Sequence, residues 1–151
     1  MCITTIRKEK FLINFNKVII LSDIHLGSKL CQAEALIKFL ESKELRSSDL
    51  LVVNGDLFDD IMARLNKFHW KVLSALRKHS NDRKVVWIRG NHDEPHPEIV
   101  ATLLGIELVK HYTFTSGAKS FLCIHGDSFD DFHLKFPIIT AIADKIYNFL
   151  Q

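Results

Sequence analysis

Short apolar runs alternate with helix-spaced apolar residues along this chain, and this alternation restricts its fold more than any other feature. Val18–Leu21, Leu50–Val53 and Val85–Ile88 are continuous apolar runs with the length of buried strands. Apolar residues at helical spacing lie between these runs, first from Ala35 to Leu40 and then from Leu65 to Leu76. Strands that alternate with helices are typical of sheets covered by helices. The pattern therefore predicts an α/β fold.

Three further elements are predicted downstream of these runs. A short helix over Ile99–Leu104 follows Pro97, and a hairpin joins Tyr112–Thr115 to Ser120–Ile124 through a Gly-containing turn. From Pro137 to the end of the chain, apolar residues repeat at helical spacing, which predicts a last helix.

Composition limits the class of protein. The chain has 151 residues, 47% of them hydrophobic, which suits a single domain over 1–151. A formal net charge of +2 gives no reason to expect nucleic acid as a partner. The three cysteines match no zinc spacing and favour a reducing, cytoplasmic compartment. No apolar run reaches the ~18–20 residues of a membrane span, so we expect a soluble protein, at most peripheral to a membrane.

Polar clusters follow the predicted strands, and their positions carry the chemistry. The side chains concerned are Asp23, His25, Asp56, Asn91, His92, Asp93, His125 and Asp127. From the residue numbers, the leading members at 23, 56, 91 and 125 lie 33, 35 and 34 residues apart. These spacings are close to one strand–helix–strand unit of about 30 residues or more. Ligands bind at the edge where the carboxyl ends of parallel strands meet, so we expect the clusters to converge there.

The donors in these clusters suit a metal site for phosphate chemistry. Asp, His and Asn without thiolate favour Mn, Fe or Zn. One carboxylate can bridge two ions ~3.5–4 Å apart, and two such ions can clamp a phosphate and generate hydroxide near neutral pH. Each piece alone has an ordinary explanation, since Gly-Asp after a strand is common turn chemistry and a histidine there often lies on the surface. The ordered set favours phosphoester hydrolysis.

The motifs resemble those of the calcineurin-like metallophosphoesterase superfamily. They are Asp-x-His at 23–25, Gly-Asp at 55–56, Gly-Asn-His-Asp at 90–93 and His125. The resemblance covers residues 18–130. It implies a four-layer αββα sandwich of two sheets flanked by helices, and two metal ions, most often Mn, bridged by one Asp and by a hydroxide that attacks phosphorus.

The resemblance also implies a role for each matching residue. Asp23 and His25 would bind the first metal, Asp56 would bridge both metals, and Asn91 and His125 would bind the second.

Three further residues take roles beside the metals. His92 would act as the catalytic residue, stabilising the transition state or protonating the leaving oxygen. Asp93 and Asp127 would hydrogen-bond and orient the ligands, Asp93 holding a histidine.

Within the superfamily, the motifs at 22–27, 90–94 and 125–130 are most similar to proteins like UDP-2,3-diacylglucosamine diphosphatase, an enzyme of lipid A biosynthesis. One branch of that enzyme carries Arg at the position of His92. In such enzymes a helical insertion after the His-Gly-Asp block holds the acyl chains. Residues 137–151 are then either the start of that helical cap or a helix that packs on the sheet. A nucleotide-linked lipid substrate would bring the protein to the inner membrane as a peripheral contact.

The chain departs from the superfamily at its C-terminal end. The final Gly-His-x-His block, which supplies one histidine to each metal, has no counterpart after His125, and His133 does not match it. This departure predicts a C-terminally truncated domain, with a partner chain as one source of the missing histidines. Three functional hypotheses stay open: a hydrolase for nucleotide-linked lipids, a phosphodiesterase for small nucleotides, and a non-catalytic remnant.

Overall fold

A computed structural model describes residues 13–127 of the chain. Its larger sheet has four strands in sequential order, all parallel. They are β1 (Val18–Leu21), β2 (Leu50–Asn54), β3 (Lys84–Ile88) and β4 (Glu107–Val109). The predicted α/β architecture is confirmed, and the three strands predicted from apolar runs lie where expected.

Four helices connect these strands, and all of them pack on one face of the sheet. They are α1 (Ala33–Leu40), α2 (Lys43–Arg46), α3 (Lys67–Asp82) and α4 (Pro97–Leu104). Each contributes buried residues to one core cluster, which also contains Leu51, Val53, Val85 and Trp87 from the strands. Alternate strand residues point to opposite faces, so these four side chains define the helix-covered face.

The other face of the parallel sheet packs against a second, two-stranded sheet. β5 (Tyr112–Ser116) and β6 (Lys119–Cys123) form the predicted antiparallel hairpin. Phe114 and Cys123 from the hairpin share a second core cluster with Leu50, Val52 and Val86 from the parallel sheet. Residues 13–127 thus supply three layers of the expected sandwich: helices, parallel sheet and hairpin sheet. The helix predicted from Pro137, the cap suggested for 137–151, and His133 lie outside the described residues.

Two elements were not predicted, and both are short. The four residues of α2 and the three of β4 hold too few apolar positions to show a period. The start of α3 also differs from the prediction, because Leu65 precedes the helix. Asn66 is the N-cap, and its side chain accepts hydrogen bonds from the backbone N–H groups of Phe68 and His69 at 2.8 and 3.1 Å.

Within residues 13–127, no helix has both the length and the hydropathy needed to cross a membrane.

The cap of α3 predicts a pH dependence of stability. His69 is buried, and this burial lowers its pKa below the ordinary 6.5. As pH falls through about 6.5, the unfolded chain takes up a proton first, so stability is full above that pH and declines below it. His69→Gln keeps an acceptor for the Asn66 N–H, which His69 Nδ1 accepts at 3.4 Å, but cannot titrate. Urea unfolding at pH 7.5 and 5.5 should show a smaller loss of stability in this variant than in the native chain. An equal loss in both would rule out His69 as the source.

Candidate metal centre

The loops after β1 and β2 run side by side and place three predicted metal ligands together. His25 N–H donates to the Asp56 carbonyl at 3.0 Å, and Leu26 N–H donates to the Leu57 carbonyl at 2.9 Å. Asp23, His25 and Asp56 all have positive φ, between 50° and 55°. Residues other than glycine rarely adopt this left-handed backbone conformation, and such backbone strain is found most often at functional sites. One ligand atom from each of the three residues lies within 4.8 Å of the other two.

Asp56 lies at the centre of the site. It is only 5% exposed, and its Oδ2 is 3.8 Å from His25 Nε2 and 3.3 Å from His125 Nε2. His125 Nε2 is also 3.2 Å from Asn91 Oδ1. Asp56 therefore belongs to two donor groups, one with Asp23 and His25 and another with Asn91 and His125. This is the arrangement that the sequence predicts for a carboxylate shared between two metals.

His125 reaches the site by a different route from the one its spacing suggested. It follows β6 of the hairpin sheet rather than a strand of the parallel sheet. The 33 residues between Asn91 and His125 contain α4, β4, β5 and β6, so they are not one strand–helix–strand unit. The packing of the two sheets brings His125 to the ends of β2 and β3.

Hydrogen bonds fix which nitrogen of each histidine is free to bind a metal. His125 Nδ1 is 3.1 Å from the Asn54 carbonyl oxygen, and His25 Nδ1 is 3.2 Å from Asp59 Oδ1. A carbonyl and an ionised carboxylate only accept, so Nδ1 is the nitrogen that donates to them when Nε2 binds a metal ion, and the oxygens of Asp56 and Asn91 beside Nε2 would then bind the same ion. The Nε2 lone pairs then face the Asp56 carboxylate, as metal-binding histidines require.

Two glycines allow the backbone to come this close. A Cβ at Gly55, where φ is +81°, would lie 1.9 Å from His125 Nδ1. A Cβ at Gly90 would lie 2.2 Å from Asp56 Oδ1 and 2.4 Å from Asp56 N. Because contacts below 3.0 Å are essentially never found for real Cβ atoms, glycine is needed at both positions.

His92, the predicted catalytic residue, lies beside the first donor group. Its Nδ1 is 2.9 Å from the Asp59 carbonyl oxygen, and its ring meets that of His25 edge-on with centroids 5.1 Å apart. His92 N–H donates to Asp56 Oδ1 at 3.1 Å. The Asp59 carbonyl places the imidazole proton on Nδ1 in the neutral ring, which leaves Nε2 to accept or carry the exchangeable proton.

The expectation that Asp93 orients a histidine is wrong. Asp93 is 0% exposed, and its carboxylate accepts hydrogen bonds from Phe58 N, Trp87 Nε1 and Gly90 N at 3.0, 3.1 and 2.9 Å. Burial raises the pKa of the Asp93 carboxyl above its ordinary value, and these three hydrogen bonds oppose that rise. Asp93 therefore joins the loops after β2 and β3. Asp127 is exposed and lines a cleft with Asn91 and His125, and its role as an orienting residue stays a prediction.

Two residues of the site were not singled out from the sequence. Asp59 takes the role expected of Asp93, since its carboxylate accepts from His25. Asn54 holds His125 through its backbone carbonyl, and its side-chain Nδ2 donates to the Ile124 carbonyl at 3.1 Å. Both lie in the polar stretch Asn-Gly-Asp-Leu-Phe-Asp at 54–59, which begins at the last residue of β2 and continues into the loop after it. That polar stretch was the available signal.

Asp59→Asn is expected to weaken metal binding about 10–100-fold, the usual cost of losing a partner that orients a ligand. The amide can still accept from His25 Nδ1, but it lacks the charge that increases the basicity of Nε2. Calorimetric titration with Mn²⁺ measures the change. Asp60→Asn is the matched control, because Asp60 is the neighbouring carboxylate, is exposed, and accepts from Met62 N at 2.8 Å. Equal affinities in the two variants would contradict the role of Asp59.

The donor set fits divalent metal ions. Each of the two groups offers carboxylate or amide oxygen and an imidazole nitrogen whose lone pair is free, and the groups share one buried carboxylate. Oxygen with imidazole nitrogen suits Mn, Fe or Zn. Asp23, His25 and Asp56 would hold one ion, and Asp56, Asn91 and His125 would hold the other.

Comparison with known proteins agrees with this geometry. The family model of the calcineurin-like phosphoesterases matches residues 16–149. The DNA polymerase II small subunit of Methanothermobacter thermautotrophicus is 31% identical over an alignment 150 positions long, which covers 76% of this chain and 31% of that subunit. YfcE, a phosphoesterase from E. coli, is 24% identical with a TM-score of 0.53, over 74% of this chain and 58% of YfcE. The nuclease MPE of Pseudomonas putida is 29% identical with a TM-score of 0.47, over 61% of this chain and 46% of that one.

The chain spans less than two thirds of the length of each of these relatives. The family match, by contrast, covers most of the chain and includes every predicted metal ligand. The chain belongs to the calcineurin-like phosphoesterase family.

Proposed function

We propose that this chain hydrolyses phosphoesters or pyrophosphates with two divalent metal ions. The observation that supports this most is the position of Asp56 Oδ2, 3.8 Å from His25 Nε2 and 3.3 Å from His125 Nε2. A buried carboxylate lies here between two imidazoles whose other nitrogens are already hydrogen-bonded. This arrangement is expected of a carboxylate that bridges two metal ions rather than of a residue buried for packing. Mn²⁺ is the ion that we propose first, because oxygen and nitrogen donors without sulfur suit Mn, Fe or Zn and the resemblance to the superfamily favours Mn among them.

The metal ions and His92 would have different roles in the reaction. Metal ions bound there would polarise a phosphoryl oxygen and lower the pKa of water enough to supply hydroxide near neutral pH. His92 lines the same cleft as Asp23 and His25, with its Nδ1 proton held by the Asp59 carbonyl. Nε2–H of the imidazolium form is therefore the group that we propose to protonate the leaving oxygen as the P–O bond breaks, which leaves a neutral ring with its proton on Nδ1.

A nucleotide-linked lipid similar to UDP-2,3-diacylglucosamine is the substrate that we propose first. The motifs at 22–27, 90–94 and 125–130 support it, as does an apolar wall in the cleft beside the metal centre. This substrate would place the protein in the cytoplasm with peripheral contact to the inner membrane. Sedimentation with phospholipid vesicles tests the membrane contact, and a chain that stays wholly in the supernatant would contradict it.

A small-nucleotide phosphodiesterase is the second candidate, favoured by the similarity to a DNA polymerase small subunit. Hydrolysis of octyl p-nitrophenyl phosphate and of thymidine 5′-p-nitrophenyl phosphate distinguishes the two candidates. A higher kcat/KM for the octyl ester supports the lipid substrate, and a higher value for the nucleotide ester supports this alternative.

If further histidines are needed to complete the metal sites, a partner chain would supply them.

The activity itself is tested with bis(p-nitrophenyl) phosphate. The chain is stripped with EDTA and then titrated with Mn²⁺, with Ca²⁺ as a control ion that prefers all-oxygen sites. We expect hydrolysis to appear with Mn²⁺ and to disappear again with EDTA. A folded, Mn²⁺-loaded chain without turnover would contradict hydrolysis and leave the remnant hypothesis.

A further inference from the structure

The cleft beside the metal centre has two walls of opposite character. It has a volume of about 550 Å³, within the usual range of small-molecule sites. Asp23, His25, Asp56, Asn91 and His92 form the polar wall, and Asp59 lies with them. The segment from the end of β1 to the first turn of α1 forms the other wall, with these apolar side chains: Leu21, Ile24, Leu30, Cys31 and Leu36.

Part of the apolar wall is open to the cleft, although Ile24 is buried in the core and the half-buried members of the wall pack against the same core cluster. Leu30 is 60% exposed, and Leu21, Cys31 and Leu36 are half-buried. A single exposed leucine is ordinary, but several apolar side chains along one cleft form a continuous apolar surface. Burial raises the pKa of the Cys31 thiol, so this wall carries no charge near neutral pH.

A second cleft on the other side of Asn91 is different. It has a volume of about 390 Å³, and its lining includes Arg89, Glu94, Lys110 and Asp127. Apolar side chains are thus concentrated on the side of Asp23 and His25. A substrate that spans the metal centre would meet an apolar surface on one side and charged groups on the other.

We infer that the wall formed by Leu21, Ile24, Leu30, Cys31 and Leu36 binds an alkyl or acyl chain of the substrate while its phosphorus lies at the metal centre. This inference rests on the proposed function and deepens it, because it identifies an amphipathic phosphoester as the substrate class. The continuity of the wall with the metal ligands in one cleft determines the occupant: a chain lying there is within reach of a phosphate that would be held by the ions bound to Asp23 and Asp56. The apolar chain site is thereby assigned to the β1–α1 segment.

The experiment measures binding rather than turnover, so it does not depend on catalysis. Inorganic phosphate and butyl, hexyl and octyl phosphate are titrated into the Mn²⁺-loaded chain by calorimetry, below their aggregation concentrations. Half-burial of each added methylene should tighten binding about twofold, or roughly 15-fold over the four methylenes between butyl and octyl phosphate. Leu30→Asn should reduce that ratio to about fivefold or less, because the exposed Leu30 side chain forms part of the wall.

Leu103→Asn is the matched control. Leu103 is 71% exposed on α4, away from the cleft lining, so both variants remove an exposed leucine with little risk to folding. A 15-fold ratio that is kept in Leu103→Asn and reduced in Leu30→Asn supports the inference. The inference is overturned if affinity does not change with alkyl chain length, or if the ratio between butyl and octyl phosphate is the same in Leu30→Asn as in the native chain. In either case phosphate binding, and with it the proposed function, still stands. Failure to bind inorganic phosphate at all overturns the proposed function, and the chain site with it.

Discussion

Replacing Asp56 with alanine is expected to abolish metal-dependent phosphodiester hydrolysis, with a fall in kcat/KM of about 1000-fold or more. The carboxylate is the one group shared by both donor sets, 3.8 Å from His25 Nε2 and 3.3 Å from His125 Nε2. Its loss removes a ligand from each ion at once. Metal ions stabilise the transition state of phosphoryl transfer by several kcal/mol, and each 1.36 kcal/mol corresponds to about tenfold in rate.

A second variant separates the charge of Asp56 from its structural contact. Asp56 Oδ1 also accepts the His92 N–H at 3.1 Å, and the amide of Asp56→Asn can keep that hydrogen bond. We expect Asp56→Asn to fold like the native chain and still lose most of its activity. Asp82→Asn, an exposed carboxylate at the end of α3, is the control that should keep full activity. Activity in Asp56→Ala within tenfold of the native value would show that the two donor groups do not act through this carboxylate.

Gly55→Ala is expected to reduce activity by about 100-fold or more, because the added methyl group displaces a metal ligand. Its Cβ would lie 1.9 Å from Nδ1 and 2.3 Å from Cγ of His125. To avoid this contact, the His125 ring must move away from the Asn54 carbonyl. It then also moves away from Asp56 and Asn91. A small misplacement of a catalytic group can cost about 100-fold in rate. The positive φ of +81° adds about 1 kcal/mol of backbone strain to the folded state.

Gly117→Ala is the matched control for the effect of positive φ on stability. Gly117 has φ +58° in the β5–β6 turn, and a Cβ there would meet nothing within 4 Å. Both variants should lose about 1 kcal/mol of stability from positive φ, measured by urea unfolding. Only Gly55→Ala should also lose Mn²⁺ affinity and turnover. Equal activity in the two variants would mean that His125 is not held where the structure places it.

Much of the architecture follows from local patterns in the sequence. Leu50–Val53 is apolar at every position because β2 is an inner strand of a parallel sheet, buried on both faces. Asp23, Asp56 and Asn91 converge because they follow three neighbouring parallel strands, which align their carboxyl ends. These inferences need only strand direction and order, and both are strongly constrained in α/β sheets.

The errors arise where contacts depend on packing between loops. Asp93 looked like a partner for a histidine, since it follows His92 directly in the sequence. The chain turns at Gly90, and the Asp93 carboxylate therefore points into the interior. There it accepts hydrogen bonds from Trp87 Nε1 and Phe58 N. Asp59 reaches His25 only because the loops after β1 and β2 lie side by side. The spacing of a strand–helix–strand unit brings the two loops to the same edge of the sheet, but it does not specify which of their side chains form hydrogen bonds.

His125 shows that a correct prediction can rest on an incomplete reason. Its spacing from Asn91 resembled a further strand–helix–strand unit, yet it reaches the site from the antiparallel hairpin. The packing of Phe114 and Cys123 against Val52 and Val86 decides where β6 ends relative to Asp56. That packing depends on the match of two apolar faces, which a single strand pattern does not specify.

The most direct test of two ions sharing Asp56 is the electron paramagnetic resonance spectrum of the chain with Mn²⁺, together with the number of ions bound per chain. Ions that share one carboxylate lie ~3.5–4 Å apart, close enough for their spins to couple. We predict two Mn²⁺ per chain with an exchange-coupled spectrum, and the loss of that coupling in Asp56→Asn. A single bound ion per chain, or two ions with the uncoupled six-line spectrum of isolated Mn²⁺, would contradict the shared site.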